Sequence, residues 1–140
     1  MQKDTSKIVE ELGLCPDFKS FYDENKSYLV NESLSSLLNG LLEVKGLKKS
    51  EVIKHAEISE VYGYQIFSGI RVPERNKLLC LIISMGLGID EAQALLKCGG
   101  YSPLYVKLPF DSIVLYGICK KMSVLDINEI LYEYGMETLG

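Results

Sequence analysis

The chain has 140 residues, 47% of them apolar and 24% charged, a balance that excludes global disorder and is typical of one globular domain with or without an appendage. Its longest apolar run, Leu78 to Ile83, is much shorter than the roughly 18 residues that a membrane helix needs, and no signal-peptide core precedes it. Four scattered cysteines and a single histidine form no metal-binding pattern. We therefore expect a cytoplasmic protein without a cofactor or a membrane partner.

Residues 1–31 predict a helical arm. A short amphipathic stretch that ends at Leu12 is interrupted by Pro16, and aromatic residues recur at helical spacing from Phe18 to Tyr22. The same spacing is more often a packing surface than a functional one, so we assign no binding role to the arm.

The first complete helix of the main domain is expected to start at Leu34 and to end at Gly46. Leucines recur at intervals of three and four residues, which places them on one face of a helix. These are Leu34, Leu37, Leu38, Leu41 and Leu42. Glycine is the usual residue just beyond a helix, so Gly46 marks the end.

Residues 46–73 predict two short helices joined by a turn of three to four residues. Buried contacts between the two helices are expected from a set of apolar residues. The set is Val52, Ala56, Ile58, Ile66 and Phe67, with Leu47 at the entrance. Ser59 is a suitable N-cap for the second helix, which would occupy residues 59–68.

This segment resembles the helix-turn-helix of the Cro and phage-repressor (XRE) family, in a register without gaps from about Leu34 to Ala92. The family pattern is approximately G-L-[ST]-Q-x-E-L-A-x-x-x-G-[IV]-S, followed by I-x-x-G-x-[RK]-x-P. The chain has GLKKSEVIKHAEIS and IFSGIRVP at these places. The matching residues are Gly46, Leu47, Glu51, Ser59, Ile66, Gly69, Arg71 and Pro73. Two positions depart from the pattern: Ile53 replaces a small alanine, and Glu57 replaces the turn glycine.

The resemblance implies an all-α, lambda-repressor-like domain that binds double-stranded DNA, with the helix at 59–68 in the major groove. It implies phosphate contacts from Lys48, Lys49 and Ser50 at the start of the first motif helix and from Arg71 and Arg75 after the second. The positions that would face the bases are Ser59, Glu60, Val61, Tyr64 and Gln65. Among these, Gln65 suits adenine, Glu60 suits cytosine and Val61 suits a thymine methyl group. The protein would be a transcriptional regulator, most simply a repressor.

Charge is distributed in agreement with this interpretation. Residues 45–77 carry seven basic and four acidic side chains, whereas the segments before and after are net acidic. Because lysine and arginine supply most of the non-specific affinity for DNA, the basic segment is where a DNA-binding surface is expected. The net charge of −4 for the whole chain predicts weak and salt-sensitive binding to random DNA.

The C-terminal half shows a weak internal repeat at an offset of 35 residues. Apolar residues and glycines of 75–100 recur in 110–135, so each copy is expected to form a helical hairpin. The linker GGYSPLYVKLP separates the copies and suggests a boundary between a DNA-binding domain, 32–100, and a C-terminal hairpin, 101–140. Apolar residues of that hairpin motivate a homodimer, since one recognition helix contacts only half of an operator. They are Ile113, Val114, Tyr116, Ile118, Ile127, Leu131 and Tyr134.

The sequence also bears on two other function classes. The departures at Ile53 and Glu57, the acidic Glu60 and the nine tyrosines also fit a degenerate helix-turn-helix module that binds a partner protein. An enzyme is not expected, because the sequence has no phosphate-binding glycine loop, no nucleophile motif and no second histidine.

Overall fold

The computed structural model describes residues 3–25 and 33–140, and its regular structure is entirely helical in these ranges, which confirms the expected all-α class. The helices are α1 (Thr5–Leu14), α2 (Phe18–Asn25), α3 (Leu34–Lys45), α4 (Lys49–His55), α5 (Glu60–Ser68), α6 (Arg75–Ser84), α7 (Ile89–Cys98), α8 (Pro109–Cys119) and α9 (Val124–Glu133). Across the same ranges, no helix is both long enough and apolar enough to cross a membrane.

The chain divides into two compact units, residues 1–31 and 32–140. In the first unit, α1 begins where the Asp4 carboxylate accepts a hydrogen bond from the Lys7 N–H at 3.0 Å. The Lys3 ammonium donates to Glu11 at 2.8 Å and to Asn25 at 2.9 Å, which links α1 to the end of α2.

The second unit, residues 32–140, is called the main unit below and contains α3 to α9 around one hydrophobic core. Fully buried residues come from every part of it, including Leu38, Ile66, Leu95, Ile127 and the C-terminal Leu139. Residues 101–140 therefore share their core with residues 33–100, and the boundary predicted near residue 100 does not separate two cores.

The repeat in the sequence corresponds to a repeat of helical hairpins. α7 and α9 begin 35 residues apart, and the turns before them place Gly86 and Lys121 in left-handed backbone conformations, with φ of 66° and 55°. The connection from α4 to α5 follows the same plan, with Glu57 at φ 60°. Each of these three residues donates its N–H to the carbonyl three residues earlier, at 3.0–3.2 Å. The main unit thus uses one turn geometry in three hairpins.

Two glycines permit close approach of helices within these hairpins. A Cβ atom on Gly63 of α5 would lie 2.5 Å from Cγ2 of Ile53 in α4, and one on Gly117 of α8 would lie 2.3 Å from Cδ1 of Ile127 in α9. The bulky Ile53, which departs from the family pattern, is accommodated because its neighbour in α5 has no side chain.

The apolar residues that motivated the homodimer are mostly internal. Val114, Ile118, Ile127 and Leu131 are buried in the core. Tyr116 and Tyr134 are exposed. Most of the residues that motivated the homodimer are thus used to attach α8 and α9 to the rest of the main unit.

Glu91 near the start of α7 is expected to make stability depend on pH. Its carboxylate accepts from the Gly88 N–H at 3.1 Å and lies 3.3 Å from the Lys45 ammonium. These contacts, the Gly88 bond first, hold the pKa of Glu91 below its usual value of 4.5 despite partial burial. A lowered folded-state pKa stabilises the protein above the unfolded-state pKa, and that contribution is lost as the pH falls through the folded-state value.

Glu91→Gln keeps a side chain that can cap the helix but removes its charge. We expect it to lower the stability at pH 7 by about 0.5 kcal/mol and to reduce the loss of stability below pH 4.5. Thermal unfolding of both proteins between pH 7 and pH 3 measures this. Parallel curves for the two proteins over the whole range would contradict the assignment.

Candidate nucleic-acid interface

The helix α5 has one buried face and one exposed face. Ser59 caps it, since the Ser59 hydroxyl accepts from the Tyr62 N–H at 3.2 Å. Gly63, Ile66 and Phe67 face the core. The outward positions carry Glu60, Val61 and Tyr64, which are exposed, and Gln65, which is half-buried. The spacing of three to four residues between buried positions is what leaves these four side chains together on the surface.

The turn before α5 keeps a left-handed residue although it has no glycine. Glu57 has φ 60°, the conformation in which the family pattern has glycine. A glutamate costs about 1 kcal/mol there. The connection between α4 and α5 is short, and Glu57 adopts the left-handed conformation at this energetic cost.

One shallow depression brings together side chains from α4, α5 and the segment after α5. Its lining is Lys49, Glu60, Val61, Tyr64, Gln65, Ser68 and Ile70. Five of these residues are among the contacts predicted from the sequence, and Ser68 and Ile70 are additional. Lys49 is half-buried, and its ammonium lies 5.4 Å from the centre of the buried Phe67 ring. The cation is consequently held against α5 rather than free in solution.

Arg71 is linked to the same surface through Gln65. The Arg71 Nε donates to Gln65 Oε1 at 3.1 Å, and the guanidinium lies 5.4 Å from the centre of the Tyr62 ring. Because the Gln65 oxygen accepts this bond, the orientation of the amide is fixed, and its NH₂ group lies on the side opposite to Arg71. Sequence reasoning placed both residues at the surface but did not foresee their hydrogen bond, which the spacing of six residues alone does not signal.

Lys48 and Ser50 lie at the start of α4 and are exposed. Lys48 occupies the N-cap position without a capping side-chain bond. Ser50 lines a second depression, on which Glu57, Glu60 and Tyr64 also border. The two depressions thus adjoin each other at the exposed face of α5, where they share Glu60 and Tyr64.

Arg75 has a different environment from the one predicted. Its guanidinium donates to the Ser102 carbonyl at 3.3 Å from two nitrogens and to the buried Asp111 carboxylate at 3.4 Å. Asp111 also accepts from the Tyr105 N–H at 2.9 Å. Arg75 therefore holds the segment between α7 and α8, which argues against the phosphate-clamp role that the sequence predicted for it.

Ion pairs reduce the positive character of the basic segment. Of its seven basic residues, Lys45 pairs with Glu91 and Arg75 pairs with Asp111. Five basic residues remain against the four acidic residues of the same segment. Any affinity for phosphates must therefore come from the placement of individual cations, Lys49 and Arg71 above all, more than from a strong overall field.

Exposed apolar side chains also lie on the first turn of α5 and in the segment just after α5. Val61, Ile70 and Val72 are 69%, 78% and 70% exposed. Aliphatic groups of this kind can contact thymine methyl groups or the apolar surface of a protein.

Comparison with models of protein families, with curated protein sequences and with solved structures found no match.

Proposed function

We propose that the protein is a sequence-specific DNA-binding regulator of transcription, most simply a repressor, whose α3 to α7 form a lambda-repressor-like domain with α5 as the recognition helix. The observation that supports this most is the shared depression: Lys49 from α4 borders it together with the outward side chains of α5. A cation beside polar and apolar groups on an exposed helix is the combination that a major groove requires, because it offers phosphates next to base edges.

Each contact in the proposal has a chemical basis. Lys49 would neutralise a phosphate at the edge of the groove. The Gln65 NH₂ group would donate to the N7 atom of an adenine. The Gln65 oxygen accepts from Arg71 with one lone pair, and its second lone pair would accept from N6 of the same adenine. Val61 would contact a thymine methyl group. The free nitrogens of Arg71 would reach the backbone beside the same base pair.

A homodimer belongs to the proposal, because two recognition helices about 34 Å apart would contact one face of a two-fold-symmetric operator. Since the apolar residues of α8 and α9 are largely internal, the contact between subunits would use exposed side chains such as Tyr116 and Tyr134.

Binding of genomic DNA fragments tests the proposal directly. The purified chain is incubated with sheared DNA of its source at moderate salt, and the bound fragments are sequenced. Enrichment of a few fragments that share a two-fold-symmetric motif is expected. No enrichment over the input would reject sequence-specific binding.

Two substitutions then separate phosphate contacts from base contacts. Lys49→Ala is expected to weaken binding to all sequences alike and to lower the salt dependence by about one phosphate contact. Gln65→Ala is expected to cost about 1–3 kcal/mol at the preferred site and to relax the preference at one base pair. Competition titrations with base-substituted sites, at several salt concentrations, measure both effects.

Lys107→Ala is the matched control for these titrations. It removes an exposed lysine from the segment between α7 and α8, far in sequence from α4 and α5. An equal loss of affinity from Lys49→Ala and Lys107→Ala would show that only the total charge matters.

A second candidate function is docking of a partner protein on the same surface. It is favoured by the exposed Val61, Ile70 and Val72 and by Glu60, whose carboxylate would have to be offset among phosphates. This candidate predicts that substitution of Ile70 or Val72 by serine abolishes capture of a protein from the source while DNA binding is absent from the outset.

A further inference from the structure

A second concave site lies on the main unit at the turns before α5 and α9. It is a groove of about 320 Å³, a volume at the lower end of ligand pockets. Its polar lining includes His55 and Glu57 from the end of α4 and Lys121 from the turn after α8. Ile83 of α6, with Met122 and Val124, supplies apolar lining. None of these residues was assigned a binding role above.

Two residues that line the groove have a strained, left-handed backbone conformation. Within residues 3–25 and 33–140, Glu57 and Lys121 are the non-glycine residues with positive φ, and both line this groove. The equivalent turn before α7 has Gly86, which adopts the same conformation without steric conflict. A glycine would therefore fit each turn with less strain, but these two turns carry side chains of opposite charge. Strained backbone of this kind is concentrated at ligand-binding sites.

Charged groups of both signs line the groove. Glu57 contributes a carboxylate beside the C-terminal end of α4, whose terminal carbonyls add to the negative charge. Lys121 contributes an ammonium that uses one of its three protons to bond the Gly86 carbonyl at 2.7 Å, and α9 begins nearby at the Ser123 cap. A ligand ammonium group therefore fits Glu57, and a ligand carboxylate fits the remaining protons of Lys121.

We propose that this groove binds a small zwitterion with an apolar side chain, of the size of a free amino acid or a dipeptide. Its ammonium would face Glu57, its carboxylate would face Lys121, and its side chain would cover Ile83, Met122 and Val124. Glu57 lies two residues before the cap of α5, so an occupied groove fixes the turn from which α5 starts. That the zwitterion is an effector of DNA binding rests on the function proposed above; the binding itself does not.

Nuclear magnetic resonance of the full chain tests the binding in the absence of DNA. The labelled protein is titrated with L-leucine and with glycyl-L-leucine, and in parallel with two half-analogues: 3-methylbutylamine, which lacks the carboxylate, and 4-methylpentanoate, which lacks the ammonium. Saturable shifts of the amides at positions 57, 86 and 121–125 are expected with at least one zwitterion at millimolar concentration. The half-analogues should give at least tenfold weaker binding.

Two variants examine the role of the charged residues without loss of the fold. Glu57→Gly and Lys121→Gly remove the charges and relieve the strained backbone, so each should unfold at the same or a higher temperature than the wild type and should lose the saturable shifts. Lys120→Ala is the control, because it removes a neighbouring lysine that does not line the groove, and it should bind as the wild type does.

The outcomes are distinguishable. Absence of saturable shifts with both zwitterions, or unchanged binding in both glycine variants, would overturn the site. Equal binding of a half-analogue would overturn the zwitterion assignment. Saturable binding in a protein that enriches no DNA would leave the site established and reject only its role as an effector site. Where DNA is bound, L-leucine or glycyl-L-leucine should change the affinity of the wild type and leave that of Glu57→Gly unchanged.

Discussion

Replacing Gly63 by alanine is expected to destabilise the folded protein by about 1–3 kcal/mol, although alanine is the better helix former by about 1 kcal/mol. The added methyl group would lie 2.5–3.0 Å from three side-chain atoms of Ile53. Ile53 is β-branched and buried, so it cannot rotate away, and α4 and α5 must move apart. Thermal and denaturant unfolding measure the loss, and the proposed DNA binding should weaken as well because α5 is displaced.

The double variant Ile53→Ala/Gly63→Ala is expected to recover much of this loss. Ile53→Ala alone should cost about 2–5 kcal/mol because it leaves a cavity. In the double variant the new methyl group at position 63 occupies part of that cavity. The double variant should therefore lose about 2 kcal/mol less stability than the sum of the two single losses. Additive effects would show that the two residues do not limit each other.

Gly40→Ala is the matched control. Gly40 lies inside α3, and a Cβ atom there would meet nothing within 4 Å. The substitution should therefore stabilise the protein by up to about 1 kcal/mol through helix propensity alone. A loss of stability from Gly40→Ala equal to that of Gly63→Ala would mean that the glycines share a conformational role unrelated to Ile53.

The pair Ile53 and Gly63 shows what the sequence could and could not predict. The bulky residue at position 53 was evident as a departure from a pattern, but its compensation ten residues later was not, because only the packed structure shows which residues of two helices meet. At the corresponding places of the hairpin α6–α7 stand Ile82 and Ala92, and in α8–α9 stand Gly117 and Ile127. Large and small residues have exchanged helices in the last hairpin, so the repeat conserves volume more than residue type.

The helices themselves were largely predictable. The leucine stripe of α3, the serine cap of α5 and the 35-residue repeat are local patterns, and each corresponds to a helix or a turn in the structure. The roles of long side chains were less predictable. A basic residue after α5 was expected to face DNA, but whether an arginine lies on the surface or is tied to another segment depends on partners 27 and 36 residues away.

Arg75 and Asp111 provide the second large expected effect. Asp111→Asn is expected to destabilise the protein by about 2–3 kcal/mol, because the charge that the Arg75 guanidinium and the Tyr105 N–H share at a buried carboxylate is lost. Arg75→Gln should cost a similar amount, since it leaves the Asp111 carboxylate buried without its cation. The loss of stability in the double variant should be smaller than the sum of the two single losses, by more than about 1 kcal/mol.

The comparison of Arg75 with Arg71 decides between a structural and a DNA-binding arginine. Arg71 is exposed and is bonded to Gln65, so Arg71→Gln should leave the unfolding temperature nearly unchanged and should reduce DNA affinity. Arg75→Gln should show the reverse when binding is measured at a temperature where the variant is fully folded. If instead Arg75→Gln unfolds like the wild type and loses DNA affinity, its contacts with Ser102 and Asp111 are dispensable and the original prediction of a phosphate clamp is correct. The assignment therefore depends on two measurements, the unfolding temperature and the DNA affinity. Loss of a structural arginine lowers mainly the first, and loss of a phosphate-binding arginine lowers mainly the second.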